Sequence, residues 1–255
     1  MTTHNSAGTL LVSIKNKMAI LEFGHPASNS FPADLLARLT HEIQELATNP
    51  AVLILLIKST GTGVFCAGAS FDELLLISNQ EQGTAFFSGF SNLINAMRTC
   101  PKLIVGRIQG KAIGGGVGIA AACDYVLATQ EASIKLSELG IGIGPFVIEP
   151  AVSRKIGKTA FTQMTLAAHE WKTADWAKDK GLYASVFETI PALDNAVSDF
   201  CAQLTSYNPQ ALLEMKKVLW EDTHHWETVL PERAAISGKL VLSDFCKNAL
   251  HQFKK

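Results

Sequence analysis

The stretch Ile108-Gln-Gly110-Lys-Ala-Ile-Gly114-Gly115-Gly116-Val-Gly118-Ile-Ala-Ala-Ala-Cys-Asp124 decides the fold of this chain when set beside Phe65-Cys66-Ala67-Gly68-Ala69-Ser70. Each is a turn of small residues at the end of an apolar run. Val52 to Ile57 and Leu103 to Ile108 are short, continuous and rich in β-branched residues, the pattern of strands buried on both faces of a parallel-type sheet. The apolar segment after Gly116 is long enough for a buried helix, so the glycines sit at a helix N-terminus. First-turn N–H groups have no intrahelical acceptor and carry the positive end of the helix dipole. Glycine lets a polarised oxygen approach that backbone. Two such turns facing one point would bring two backbone donors to one oxygen, an oxyanion hole.

Outward from these turns, Leu10 to Ile14 and Met18 to Phe23 read as a hairpin, and Asp34 to Ala47 as an amphipathic helix ending at Asn49-Pro50. Strand, turn and helix then alternate: Val52–Ile57, Phe71–Ile77, a helix over Ala85–Met97, Leu103–Ile108, the buried helix, and short strands at Tyr125–Ala128 and Ser133–Leu136. Alternating units with short links predict an α/β fold with parallel strands. From Ala160 onward the pattern is helical almost throughout, which places a boundary between Gly157 and Leu182.

The chain has 255 residues, 47% of them hydrophobic, enough to bury a full core as one large domain or two unequal ones. With a net charge of −1 and no basic run beyond Lys254-Lys255 it has no field for nucleic acid. No apolar stretch reaches membrane-spanning length, and the N-terminus lacks the pattern of a signal peptide, so a soluble cytoplasmic protein is expected. Five scattered cysteines, with no C-x-x-C pair, suggest neither a disulfide framework nor a zinc site. His224-His225 beside Glu221 and Asp222 lacks a second ligand pair and reads as surface rather than as a metal site. The four tryptophans, Trp171, Trp176, Trp220 and Trp226, read as packing or subunit interface. Gly68-Ala-Ser70 runs into Phe71, so the nucleophile-elbow pattern fails; Ile119 stands where a dinucleotide fingerprint needs its third glycine.

At Phe65-Cys-Ala-Gly-Ala-Ser70, Gly110-Lys-Ala-Ile-Gly-Gly-Gly116 and Ala121-Ala-Cys-Asp124 the chain resembles the enoyl-CoA hydratase/isomerase (crotonase) superfamily. The similarity continues through Ser137-Glu138-Leu-Gly140, Arg154-Lys-Ile-Gly157 and Trp171 to Leu182. The resemblance implies a crotonase-like (ClpP/crotonase) core of repeated ββα units over residues 1–187. It also implies a C-terminal helical region, 188–255, that assembles trimers, often paired into hexamers. The implied ligand is an acyl-CoA, coenzyme A entering as part of the substrate and not as a cofactor. Ala69 and Gly115 match the oxyanion-hole positions whose N–H groups bind the thioester oxygen. Cys66, Ala67, Ser70 and Phe71 match the stretch that meets the pantetheine and adenine, with Ser70 in place of the usual Asp. His25 lies where a phosphate-binding cation is common, although a lone histidine beside proline reads equally as a loop residue. Phe253 and Lys254 match nucleotide contacts from a terminal helix, or a frayed tail.

The acid/base pattern departs from the family's hydratases, which carry two glutamates; here the first position is Gly118 and the second is Glu138. Hydration uses two carboxylates to hold a water, whereas moving a double bond uses one base that removes a proton and returns it two carbons away. Glu138 is flanked by Leu136, Leu139, Ile141 and Ile143, a setting that raises a carboxyl pKa. The segment Gly144-Pro145-Phe146-Val-Ile-Glu149-Pro150 resembles that of mitochondrial-type 3,2-trans-enoyl-CoA isomerases. Phe146 and Val147, with the helix bearing Phe86, Phe87 and Phe90, are expected to line the acyl end. Glu149 reads as a salt-bridged residue or as an additional acid/base group. The leading expectation is a 3-enoyl-CoA isomerase; the alternatives are a 2-enoyl-CoA hydratase and a non-catalytic acyl-CoA-binding subunit.

Overall fold

The computed structural model describes residues 8–252 in full and the backbone of Phe253; Lys254 and the Phe253 side chain lie outside the described residues. The chain opens with a hairpin of β1 (Thr9–Lys15) and β2 (Met18–Gly24), turned by Asn16 and Lys17, both at positive φ. That turn geometry matches the twist of the two strands. Helix α1 (Ala33–Thr48) buries Leu35, Leu36, Leu39, Ile43 and Leu46, the stripe its spacing predicts. Strand β3 (Ile54–Ser59) and strand β4 (Leu103–Ile108) follow on either side of α2 (Phe71–Leu76) and α3 (Gln80–Thr99). Then come β5 (Ala112–Ile113), α4 (Gly115–Ala122), β6 (Tyr125–Thr129), β7 (Ile134–Lys135) and a 3₁₀ turn at Glu138–Ile141. The C-terminal part comprises α5 (Glu149–Leu166), α6 (Ala174–Asp179), β8 (Ser185–Phe187), α7 (Ile190–Ser206), α8 (Pro209–Leu219), α9 (Trp226–Leu240) and α10 (Asp244–Phe253).

The main sheet has the order β1-β2-β3-β4-β6-β8, antiparallel at the hairpin and parallel elsewhere. Side chains alternate across it with the period of two that strands impose. Ile54, Leu56, Leu103, Val105 and Leu127 face Leu193, Val197, Cys201 and Leu204 of α7. Leu55, Ile57, Ile104, Val126 and Ala128 face the other way, into the core shared with α1, α3 and α4. Both faces are therefore covered, which explains the uninterrupted apolar runs. All five cysteines are free and buried, and no described helix is long and apolar enough to cross a membrane.

Two expectations shift. The strand expected from Val52 begins at Ile54, because Val52 still donates to Asn49 O in the turn after α1. A strand also appears in the region expected to be helical: β8 pairs with β6, anchored by the Ala184 N–H to Val126 O at 2.8 Å. Three residues are too few to show a period.

A second, smaller layer sets up the site. Strands β5 and β7 pair in parallel, and isolated bridges join Cys66 to Ala112, Phe31 to Ala69 and Ile134 to Lys172. These links gather the turns that leave the main sheet.

Helix α8 is fastened to this core by Asp124. Its carboxylate accepts from Lys216 Nζ at 2.8 Å, from Trp220 Nε1 at 2.6 Å and from the Ile104 N–H at 2.7 Å, with Lys216 and Asp124 side chains 2% and 4% exposed. Removing one member of a buried pair leaves the other charge unpaired, a loss of roughly 3 to 5 kcal/mol. Asp124→Ala is accordingly expected to lower the unfolding free energy by about that amount in urea titrations at fixed protein concentration. A loss no larger than that of an exposed ion pair would contradict this role.

Candidate active site

The two glycine turns meet backbone to backbone. Gly68 has φ +85°, and a β-carbon there would lie 2.9 Å from Ile113 O and 3.3 Å from Gly115 N. Only a residue without a side chain fits, on both conformational and steric grounds. The surrounding hydrogen bonds pass over the two amides of interest. Phe31 N–H donates to Gly68 O at 2.7 Å, Ser70 N–H to Phe31 O at 3.0 Å, Ile113 N–H to Cys66 O at 2.9 Å and Gly114 N–H to Lys135 O at 2.9 Å. Ala69 N–H is skipped by its bridge, and Gly115 N–H opens α4, where no intrahelical acceptor exists. Both residues line one cavity. Two amides without a backbone acceptor thus stand beside one cavity.

Glu138 faces them from the 3₁₀ turn. Gly114, at φ +52°, lets the carboxylate close in: a β-carbon there would lie 2.8 Å from Glu138 Oε1. Glu138 Oε2 is shut off from solvent and has no hydrogen-bond partner, although the residue as a whole is half-buried. Burial pushes the carboxyl up to about 7 from its ordinary 4.5, opposed only by its own backbone N–H. Of the flanking residues expected to surround it, Ile141 and Ile143 line the cavity, whereas Leu139 is 40% exposed and Leu136 is buried elsewhere.

The cavity is walled by Leu74, Phe87, Phe90, Ile141, Ile143, Phe146, Val147 and Ile148. An outer groove adjoins it, sharing Ala67, Ala69, Phe71, Ile113, Ser137 and Ile141. Trp171 lines the groove, 40% exposed, with Lys111 and Lys135 ammonium groups 4.9 and 5.3 Å from its ring centroid. The inner space is apolar and holds a titratable carboxyl; the outer one is wider and cationic. A chain that is apolar at one end and anionic at the other fits this pair.

The model for the family described as enoyl-CoA hydratase/isomerase matches residues 13–254. The chain belongs to that family. Relatives include the 2,3-dehydroadipyl-CoA hydratase of Escherichia coli, 26% identical over 212 residues, 82% of this chain and 81% of that protein. Another is the peroxisomal Delta(3,5)-Delta(2,4)-dienoyl-CoA isomerase of Arabidopsis thaliana, 26% identical over 206 residues, 75% of this chain and 72% of that one. The crystal structure of an enoyl-CoA hydratase from Bacillus halodurans superposes with a TM-score of 0.89 at 20% identity, covering 95% of this chain and 99% of that one. The fold is the crotonase fold of this family.

Within the enoyl-CoA hydratase/isomerase frame, the expected residues divide. Gly114, Gly115, Glu138 and Phe146 line the inner cavity, and Ala67, Ala69 and Phe71 line both spaces. Cys66 is fully buried beneath its turn, its Sγ accepting from the Gly68 N–H at 3.3 Å, and lines neither space. Ser70 is 5% exposed and caps α2, accepting from the Glu73 N–H at 3.4 Å. His25 turns into its own loop, its Nδ1 against Ser30 Oγ at 3.1 Å and accepting from the Ala27 N–H. Among the phenylalanines of α3, Phe87 and Phe90 face the cavity while Phe86 packs behind them, 5.4 and 6.4 Å away between centroids. Trp220 and Trp226 are buried against each other, and His224 and His225 are exposed.

Glu149 is salt-bridged. Burial alone would raise its carboxyl, but hydrogen bonds from Arg233, Lys158 and Ser153 outweigh that and hold it at about 2. It lies outside the inner cavity and stays ionised. At Gly118, the family's first glutamate position, a β-carbon would lie 2.3 Å from Ile148 Cγ2. Ile148 therefore occupies the room a second carboxylate would need. Neither Ile148 nor the outer Lys135 and Trp171 carries a local sequence signal, since each reaches the site through packing between distant segments.

The buried carboxyl makes stability depend on pH. Between about 4.5 and about 7 the folded protein holds a proton on Glu138 that the unfolded chain has released, so this group's contribution falls as pH rises through that window. Glu138→Gln is expected to be more stable relative to the parent at pH 8 than at pH 4, the gap opening across that window in denaturant titrations. A gap independent of pH would show that the carboxyl is not raised.

Proposed function

We propose that this protein moves the double bond of a 3-enoyl-CoA to the 2-position. The observation that carries the reading is Ile148 packed over Gly118, which leaves Glu138 as the one carboxylate lining the inner cavity among the described residues. The thioester oxygen accepts from the Ala69 and Gly115 amides. Glu138 takes a proton from C2, the electrons of that bond pass into the carbonyl and the existing double bond, and the resulting dienolate is held by the two amides. Return of the same proton to C4 leaves the double bond between C2 and C3. One base serves both transfers, and preorganised amides stabilise the charge that develops on oxygen. A carboxyl near 7 suits both halves of the cycle.

The outer groove supports coenzyme A binding, with Lys111, Lys135 and Trp171 on its anionic end. We read 1–187 as the catalytic core and 188–255 as an oligomerisation region forming a trimer or a pair of trimers. The exposed apolar residues Met215, Val218 and Leu219 of α8 support that assignment. A cytoplasmic location belongs to the same reading.

The test incubates matched 3-enoyl- and 2-enoyl-CoA substrates with the protein and follows products by chromatography and mass spectrometry. The expected result is conversion of the 3-enoyl substrate at unchanged mass, with Glu138→Gln slower by about a hundredfold to ten-thousandfold. The parental kcat/KM should rise with pH to a plateau above about 7, because the base acts only when ionised. Gain of one water by the 2-enoyl substrate would make the protein a hydratase and defeat the reading.

A further inference from the structure

Helix α9 contributes one residue to the inner cavity, and it is polar. Ser237 is 1% exposed and lines that space. No hydrogen bond joins its hydroxyl to the protein among the described residues, and the oxygen stays open to the cavity. An acyl chain that fills the space covers that hydroxyl, and a covered hydroxyl without a partner is unfavourable, so a ligand that supplies one is favoured over a ligand that does not.

The position of Ser237 relative to the thioester site follows from α3. Phe90 lies against Gly115, where a β-carbon would meet its ring at 2.3 Å; Gly83 lies against Gly238, whose carbonyl oxygen would be 2.5 Å from a β-carbon at Gly83. The seven residues from Phe90 to Gly83 span on the order of 10 Å at 1.5 Å per residue. Ser237, next to Gly238, therefore lies beside the Gly83 turn of α3, about two helical turns from Phe90, while Gly115 lies at Phe90. Between Ser237 and Gly115 the walls are apolar, and no Lys, Arg or His side chain lines the space. A distal carboxylate would find no counter-charge there and would share the cavity with Glu138.

We propose that Ser237 is a specificity-determining residue that selects acyl-CoA chains carrying a neutral oxygen function, a hydroxyl or keto group, several carbons beyond the thioester. The proposal rests on the reading of the site as an acyl-CoA site, but not on which reaction follows. The hydroxyl both donates and accepts, so it serves either group. A plain hydrocarbon chain leaves it unpaired.

The test uses saturated, unreactive thioesters: hexanoyl-, octanoyl- and decanoyl-CoA beside their ω-hydroxy counterparts, with Kd measured by calorimetry for the parent and for Ser237→Ala. Alanine suits a helix interior, so the variant is expected to fold. At one chain length the ratio of hydroxy to alkyl Kd should rise about tenfold on substitution, the size of a single net hydrogen bond. A ratio unchanged at every length, with all thioesters bound, would overturn the role of Ser237 and leave the acyl-CoA site standing. Absence of binding by every thioester would overturn both.

Discussion

The close approach of two backbone turns is the constraint on which the rest of the site depends. Gly68 can lie against Ile113 O and Gly115 N only because it has no side chain and takes a positive φ. That approach brings Ala69 and Gly115 to the wall of one cavity. The turns are held there by the small layer of β5, β7 and isolated bridges, itself suspended from the ends of β3, β4 and β6. Each neighbouring glycine answers a different contact: Gly114 to the Glu138 carboxylate, Gly115 to the Phe90 ring, Gly116 to Cys66. A side chain at any of the three would push apart a pair of elements that the site needs together. The sheet thus serves as a frame whose accuracy matters at its edges, where backbone rather than side chains faces the cavity.

Two glutamates eleven positions apart show how burial and partners set opposite charge states. Glu138 is desolvated without a counter-charge, so its carboxyl rises; Glu149 is desolvated with two cations and a hydroxyl in contact, so its carboxyl falls. The first can exchange a proton near neutrality. The second cannot, and instead ties the start of α5 to Arg233 of α9 and thereby holds Ile148, immediately before it, over Gly118. The ion pair fixes the residue that shapes the cavity.

Local patterns carried much of this in the sequence. The uninterrupted apolar runs of β3 and β4, the stripe of α1 and the glycine turns are short-range signals, and they place the hairpin, the parallel strands and the buried α4 within a few residues. Glu138 is legible because it stands at the second position of a two-glutamate pattern whose first position is Gly118. What was not legible depends on packing between distant segments. Ile148 reads as one more aliphatic residue until Gly118 is set beneath it. Asp124 looks like the end of a motif, yet it fastens α8 through Lys216 and Trp220, more than 90 residues later. Ser70 and His25 were read as ligand contacts because their positions invite that; locally, a helix cap and a loop hydrogen bond use them first. Ser237 belongs to a helix whose register against α3 is set by two glycines, Gly83 and Gly238, that no periodicity pairs.

The contents of the cavity bear on why one carboxylate favours proton transfer over hydration. A bound water is retained when two to four polar groups hold it. On the proposed reading, the lining available to a bound thioester offers Glu138 and Ser137 beside Ile141, Ile143, Val147, Ile148, Phe87 and Phe90. A water there would have one strong partner and an apolar cage. A substrate carbon needs no such partners, and in the same dry setting the attraction between the amides and a developing oxyanion is stronger than it would be in water. On the proposed isomerase reading, the packing of Ile148 against Gly118 leaves no room for a second carboxylate, and a single carboxylate suits a proton that leaves one carbon and returns to another.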